Sequence, residues 1–536
     1  MSERPNVVLI MADQLRWDAL GAYGNRVVRT PHMDRIAREG VRFERCYTAS
    51  PICMPARASM LTGRWPHAHG LWDNGVRFPP ESVTLGTVLA RHGYRTGIVG
   101  KGHLDVHRLT ESPDSFDGWD TPEAIAAGGK DVANGPYYGF QEAHLTSGHN
   151  KPSGHYGTWL HKEHPDAVAL MTRERGTEWH YAGPPAQRTQ PQGSSGPAWK
   201  SALPVALHAS TWIGDQSVDF IRRQSAGRDM GNEPFFLWAS FPDPHPPLCP
   251  PVEYADRYDP AAMPAPLRRE GELADKPAHF LDVPDEYEPG WRPYGQNHKA
   301  HEPRDGQADA VSKAAYYAMT ELVDANVGRI LAALEETGQL DNTVVIVIAD
   351  HGEMLGDHWL DGKGPWHYDG CTRVPLLVRA PGKLPAGRVV DGFVSQCDLA
   401  PTVCDLVGVP YTTWPPRPDQ HPGGLAPHNA LPDVQGMSLV AAARGEQQAR
   451  DRVLIETEWR WIPGLQLKTL RTAEWRITVY AGRPYGELYD LSTDPDEFVN
   501  RWDDPALRGV RGGLTEQLLQ ELMRTEGRQP PRLVEN

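Results

Sequence analysis

Val344-Val-Ile-Val-Ile-Ala349-Asp350-His351-Gly352 is an unbroken apolar run, rich in β-branched residues, that stops on an acid and a histidine. A run this short leaves no room for a helix face, and the lack of polar alternation marks a strand buried on both sides. Three other segments repeat the pattern: Val7 to Ala12, closed by Asp13; Gly97 to Gly100, closed by Lys101; and Phe235 to Phe241, followed by Asp243. Longer stretches with helical spacing separate them. Strands alternating with helices in this way predict an α/β fold, with a mixed, largely parallel sheet between helices. Ligands of such sheets collect at the carboxyl ends of the strands. The polar residues that close these runs therefore belong to one prospective site, although they come from distant parts of the chain.

The bulk composition limits what that site does. The 536 residues, 39% hydrophobic, suit a large α/β domain with a smaller appendage, and Gly 52 with Pro 50 predict many ordered loops. A formal charge of -15 leaves no basic excess to neutralise phosphates, which excludes a general nucleic-acid binder. A few local cations still suffice for a small anionic substrate. Six cysteines in a chain of this length do not make a disulfide framework. No stretch approaches the roughly 20 apolar residues needed to cross a bilayer. The start, MSERPNVVLIMADQ, reads as a buried strand rather than a signal peptide. The corresponding expectations are a cytoplasmic location and no membrane or nucleic-acid partner.

Residues 1–410 carry all the strand-end motifs and form the expected catalytic domain. Within them, about 128–192 are rich in Gly, His, Tyr and Pro without a clear period, and read as an insertion lying over the sheet edge and shaping the substrate pocket. Residues 411–432, rich in Pro and His, read as a linker or surface loop. Residues 433–536 are expected to form an α+β subdomain. RVLIETEW, LKTLRTAEWRITVY and GELYDL look like antiparallel strands, and a final helix carries Leu514, Leu518, Leu519, Leu522 and Met523 on one face. The tail from Arg528 to Asn536 either frays or packs on a neighbouring subunit of a homo-oligomer.

The most informative motif is Cys53-Met-Pro-Ala-Arg57, followed by Ala-Ser-Met-Leu-Thr-Gly63-Arg64. Pro55 suits a first helical turn, which puts Cys53 at a helix N-terminus where partial positive charge favours an anion. Asp13-Gln14 and Asp350-His351 each end a strand, and either acid alone would be an ordinary cap or turn residue. Together they offer two carboxylates, an amide oxygen and an imidazole to one divalent cation. Oxygen ligands suit Ca²⁺ or Mg²⁺, and the imidazole shifts the balance toward Mn²⁺. Gly100-Lys101-Gly-His103 adds a point charge able to hold anionic oxygens and a group that takes a proton near neutral pH.

The Cys-x-Pro-x-Arg string with its later Thr-Gly-Arg resembles the signature of the type I sulfatases, and the Gly-Lys pair before His103 resembles their second signature. GELYDLSTDPDEFVN is similar to the usual C-terminal subdomain of the same family, so the likeness covers most of the chain. It implies an alkaline-phosphatase-like fold and a Cys53 oxidised to formylglycine by a formylglycine-generating enzyme. It further implies one divalent metal ion, Ca²⁺ ahead of Mn²⁺ or Mg²⁺, held by Asp13, Gln14, residue 53, Asp350 and His351. The implied nucleophile is the hydrated aldehyde of residue 53, steadied by Arg57. Lys101 and Lys363 would stabilise the sulfuryl oxygens, His245 would protonate the departing alcohol, and His103 would take the proton that releases sulfate. Asn74, in Trp-Asp-Asn-Gly, would bind substrate oxygens or simply serve as a turn residue. The implied substrate is an aryl, alkyl or carbohydrate sulfate ester. Many sulfatases carry a second Asp and an Asn where this chain has Gln14 and His351. That pair is shared with phosphonate monoester hydrolases and some bacterial sulfatases, whereas phosphonate monoester hydrolases generally lack the Lys101 and His103 pair. A phosphonate monoester or phosphodiester hydrolase with the same nucleophile is therefore the alternative, and a non-catalytic ligand-binding relative is a third reading. His67, His69 and His358 lie near the motifs and read as surface or supporting histidines.

Overall fold

The structure, a computed structural model, describes residues 4–105, 137–146, 152–171, 198–226, 233–280, 306–413, 430–459 and 462–526. The large sheet contains β1 (Asn6–Ala12), β2 (Val41–Tyr47), β3 (Arg95–Gly100), β4 (Glu142–Leu145), β5 (Phe235–Phe241), β6 (Thr343–Ala349), β7 (Arg373–Val374), β8 (Leu376–Arg379) and β9 (Arg388–Ser395). Their order is β4-β3-β5-β1-β6-β8-β2-β7, with β9 paired to β2. The run from β4 to β6 is parallel throughout, and β8 is the antiparallel insertion beside it. Every residue of β1, β5 and β6 is buried, so helices and loops cover both faces of the sheet. This is the architecture expected from the apolar runs.

Register sets the position of the site. Ala12 stands opposite both Phe241 and Ala349, and Gly100 stands opposite Ser240. In parallel strands these residues end on one row, so Asp13, Lys101, Asp350 and the turn after Phe241 emerge side by side. Gly100 has φ 103, and a Cβ there would run into the Ser240 carbonyl oxygen. Only glycine permits that left-handed close approach, which delivers Lys101 beside β1.

Two segments behave differently from their sequence reading. The stretch 128–192 supplies the edge of the sheet itself, because Glu142–Leu145 is β4 and pairs with β3. Four residues that alternate half-buried and buried are too few to register as a period. The helix Gly154–Glu163 and the 3-10 segment Pro165–Met171 follow it, while 128–136, 147–151 and 172–192 lie outside the described residues. In the stretch 411–432, β10 (Tyr411–Thr413) pairs in parallel with β11 (Leu431–Val434), and its interior, 414–429, is likewise outside the description. So is the tail 528–536.

Beyond these, β12 (Arg452–Trp459), β13 (Leu465–Thr472), β14 (Trp475–Tyr480) and β15 (Gly486–Asp490) form an antiparallel sheet in chain order. Leu454, Leu470, Ile477 and Leu488 pack with Leu514 and Leu518 of the helix Arg508–Thr525 and with Ala49, Trp65 and Cys397 of the large domain. The apolar core thus continues from one unit into the other. The final helix corrects one expectation. Leu514 and Leu518 are buried, with Leu522 packed beside them, but Leu519 and Met523 are exposed. Steps of four keep 514, 518 and 522 in one stripe, whereas a one-residue step rotates position 519 by about 100° away from it. Among the described residues no helix is long and apolar enough to cross a membrane.

Candidate active site

The helix Cys53–Thr62 begins at the proposed nucleophile and is buried along its whole length. Its entry is fixed by a polar stitch between strand ends. Thr48 Oγ1 donates to the Asp350 carbonyl at 2.8 Å, and Gln396 Nε2 donates to the carbonyls of Ala349 and Asp350 at 2.6 and 2.7 Å. Asn74 Oδ1 accepts the Met54 amide at 3.0 Å and so satisfies one of the free N–H groups of the first turn.

Around Cys53 the separate strand ends converge. The sulfur lies 3.8 Å from Asp13 Oδ1, 3.1 Å from His351 Nε2 and 2.8 Å from Lys363 Nζ. Lys363 Nζ also reaches Gln14 Oε1 at 3.1 Å, His351 Nε2 at 3.1 Å and His245 Nε2 at 3.0 Å. Lys101 Nζ is paired with Asp13. Arg57 does more than steady the helix. Its Nε donates to Asp350 Oδ2 at 2.9 Å, its Nη2 lies 3.4 Å from Asp13 Oδ2, and its Nη1 donates to the Lys101 carbonyl at 2.6 Å. It is fully buried and bridges the two acids. Arg57 and Lys101 thus face the two carboxylates, and Lys363 adds a third cation against Cys53 and Gln14. That balance suits an anionic substrate.

The titration environment follows from these contacts. Burial and Asp13 push the Cys53 thiol up, but Lys101, Lys363 and His351 outweigh them and leave it below the ordinary thiol value. For His351, burial and Lys363 favour the neutral ring, while Asp350 and Cys53 favour the charged one and prevail. His351 Nδ1 is held by the Gly352 carbonyl at 2.9 Å, which turns Nε2 toward Cys53. In the same way His245 Nδ1 is held by the Pro246 carbonyl at 2.6 Å, which turns its Nε2 toward Lys363.

The donor set fits a divalent cation. Ligand-capable atoms of Asp13, Cys53, Asp350 and His351 all lie within 4.8 Å of one another, and all four residues are buried. The Lys363 ammonium already rests against Gln14 Oε1 and the Cys53 sulfur, so these acceptors accommodate positive charge. Mixed carboxylate, amide and imidazole donors match the hard to borderline divalent ions.

Nearly all the expected site residues therefore meet. Asp13, Gln14, Cys53, Arg57, Lys101, His245, Asp350, His351 and Lys363 are joined by direct contacts. His103 is buried at the β3 end in left-handed backbone, φ 53, two residues beyond Lys101. Of the other histidines, His69 and His358 are not on the surface. His69 is buried against Ser59 Oγ, and burial pushes its ring down to about 3. His358 stacks on Tyr368 with ring centroids 4.1 Å apart. His67 is partly exposed and ties Glu456 Oε2 at 2.9 Å to the Thr525 carbonyl at 2.6 Å. Two residues outside the sequence reading support the site. Tyr316 OH donates to the Gln14 carbonyl at 2.5 Å and accepts the Arg16 amide at 2.8 Å. Glu353 is buried and bonded to the Gln14 side chain. Its only sequence signal is an acid two places past His351, followed by the apolar Met354 and Leu355.

Known proteins resemble this chain over most of its length. A protein-family model described as Sulfatase matches residues 5–409. The arylsulfatase of Clostridium perfringens is 29% identical over 548 aligned residues, which span 98% of this chain and 95% of that protein. Among solved structures, the phosphonate monoester hydrolase of Agrobacterium radiobacter superposes with a TM-score of 0.73 at 29% identity, over 97% of this chain and 96% of that one. The corresponding enzyme from Silicibacter pomeroyi gives 0.72 at 25% identity, with the same coverage of both chains. With the family match spanning most of the sequence and the strand-end residues converging around Cys53, the chain belongs to the sulfatase family of the alkaline phosphatase superfamily and is a hydrolase of that family.

Proposed function

We propose that the protein hydrolyses a sulfate monoester through a formylglycine derived from Cys53. The observation that carries this reading is the contact of Cys53 Sγ with His351 Nε2 at 3.1 Å and Lys363 Nζ at 2.8 Å, with Asp13 Oδ1 at 3.8 Å. Asp13, Gln14, Asp350 and His351, with residue 53, would hold one divalent cation, Ca²⁺ ahead of Mn²⁺ or Mg²⁺. When bound, such an ion acts as a Lewis acid and lowers the pKa of a hydroxyl attached to it. Lys101 and Lys363 flank residue 53 and hold the equatorial oxygens of the substrate, where charge develops in the transition state. His245, whose Nε2 faces Lys363, supplies a proton to the departing alcohol oxygen, with Lys363 feeding that proton. One hydroxyl oxygen of the hydrated aldehyde bonds to sulfur as the alcohol leaves; His103 then accepts the proton of the other hydroxyl, so that the carbon–oxygen bond to the sulfate breaks, sulfate leaves and the aldehyde returns.

Maturation requires a formylglycine-generating enzyme, and the substrate is an aryl, alkyl or carbohydrate sulfate. The test is the mass of the Cys53 peptide together with turnover. Matured protein should show exchange of sulfur for oxygen with loss of two hydrogens, and should cleave an aryl sulfate. Full turnover by protein whose Cys53 remains a thiol, or by Cys53→Ala, would refute the nucleophile. Close structural likeness to phosphonate monoester hydrolases, with Gln14 and His351 in place, favours a second reading in which an aryl phosphonate is the better substrate. The ratio of kcat/KM for an aryl sulfate to that for the matching aryl phosphonate decides between the two.

A further inference from the structure

We infer that Glu353 is a positioning residue that fixes which end of the Gln14 amide faces the reaction centre. The inference rests on the reading of Gln14 as a cation ligand. An amide side chain rotated by 180° occupies nearly the same volume, but it exchanges an acceptor oxygen for a donor nitrogen. Only the oxygen can coordinate a cation. Something must therefore hold the amide in one of two nearly isosteric states.

The backbone of Gln14 has no freedom to contribute. It sits at φ 63, and its N–H donates to Asp350 Oδ1 at 2.9 Å while its carbonyl accepts from Tyr316 OH at 2.5 Å. What remains is the flip of the amide. On one side Gln14 Nε2 donates to Glu353 Oε2, and on the other Gln14 Oε1 accepts from Lys363 Nζ at 3.1 Å. Reversal would set oxygen against carboxylate and N–H against ammonium, so both contacts would turn repulsive in a fully buried place. Glu353 is itself locked. Its Oε1 accepts the Leu355 amide at 3.1 Å and the Gly362 amide. Both ends of the turn that leads to Lys363 are thereby pinned to the carboxylate that orients Gln14. One buried acid couples the β1 end to the Lys363 loop.

The decisive substitution keeps size and loop anchoring while reversing one hydrogen-bond role. In Glu353→Gln the carbonyl oxygen still accepts from Leu355 and Gly362, but an NH₂ now meets the Gln14 NH₂. Relief requires Gln14 to flip and turn its nitrogen inward. Titration of the unmatured protein with Mn²⁺, followed by calorimetry, reads this without reference to turnover. Mn²⁺ binding should weaken by about 10- to 100-fold in Glu353→Gln. The reciprocal pair Gln14→Glu with Glu353→Gln restores a donor facing an acceptor and keeps an oxygen inward, so it should recover affinity to within a few-fold of the original. A merely structural role for Glu353 would not be rescued by changing Gln14.

Unaltered Mn²⁺ affinity in Glu353→Gln overturns the inference and leaves the cation reading intact. Absence of Mn²⁺ binding by the unsubstituted protein overturns the cation reading and the inference with it. If Glu353→Gln does not fold, the reciprocal pair decides alone. A folded pair that binds Mn²⁺ supports the inference, and a pair that neither folds nor binds overturns it.

Discussion

Arg57 and Arg476 are each buried between two buried acids, and their surroundings give them opposite meanings. Arg57 lies between Asp13 and Asp350 at the ends of β1 and β6. Arg476 on β14 lies between Glu497 at 2.6 Å and Glu487 at 3.2 Å. Around Arg476 the acceptors are filled. Glu487 takes hydroxyl groups from Tyr480 and from Tyr489, the latter at 2.9 Å, and the guanidinium lies over the rings of Tyr368 and Tyr489 at 4.8 and 4.4 Å from their centroids. Around Arg57 the carboxylates also face Cys53, His351 and Lys101. A charge cluster saturated by hydroxyls and rings is structural. One whose acids face a thiol and an imidazole within ligand distance of one another is a prospective cation site.

Replacing each arginine by methionine breaks this comparison with the largest expected effect. Either change removes the guanidinium that bridges two buried acids and should cost about 3–5 kcal/mol of stability. The two should then diverge. Divalent cation should return much of the lost stability to Arg57→Met, because it supplies positive charge to Asp13 and Asp350, and should return none to Arg476→Met. Thermal unfolding with Mn²⁺ and with chelator measures the difference, and an equal response of both variants would remove the distinction. In turnover, Arg57→Met should lose about 10²- to 10³-fold in kcat/KM. Arg476→Met, assayed well below its melting temperature, should stay within a few-fold of the original.

The same contrast explains what the sequence discloses. Asp13, Lys101 and Asp350 are legible because each closes an apolar run, and parallel strands in register must bring such ends together. Cys53, His245 and Lys363 are legible through their motifs. Glu353 is not, because its contacts are two amides of its own loop and the side chain of Gln14, two residues past the end of β1, and no periodicity reports such bonds. Arg476 is equally silent, since its partners Glu487 and Glu497 lie in a stretch that reads simply as strand and turn. β4 escaped notice because four alternating residues are a weak signal. The final helix misled because a cluster of leucines does not say which stripe is buried.

A smaller effect sharpens the saturated side of the comparison. Glu456 on β12 is buried, and it accepts the His67 amide at 2.8 Å and pairs with Lys468 and the His67 ring. Burial raises its pKa, but Lys468 and His67 outweigh burial and hold it at about 2 against 4.5. A carboxyl depressed in the folded state contributes stability above its unfolded value and loses it as pH falls toward the folded one. The contribution, at most about 3 kcal/mol, should therefore be complete above about pH 4.5 and vanish toward pH 2. Glu456→Gln should flatten the acid limb of the melting temperature between those limits. An unchanged limb would mean that other carboxyls carry it.

The smallest expected effect concerns the helix Arg508–Thr525. Leu518 is 3% exposed and packs on the antiparallel sheet, whereas its neighbour Leu519 is 57% exposed. Leu518→Ala removes core contacts shared with Leu454, Leu470 and Ile477, and leaves a cavity that the surrounding strands cannot close. Leu519→Ala removes side-chain atoms that already face solvent, so stability should stay within about 0.5 kcal/mol of the original. Denaturant midpoints of the two variants test the stripe through 514, 518 and 522 directly. Equal losses at 518 and 519 would show that both sides of the helix are covered. The leucine cluster would then mark a broader buried surface than the four-residue spacing allows.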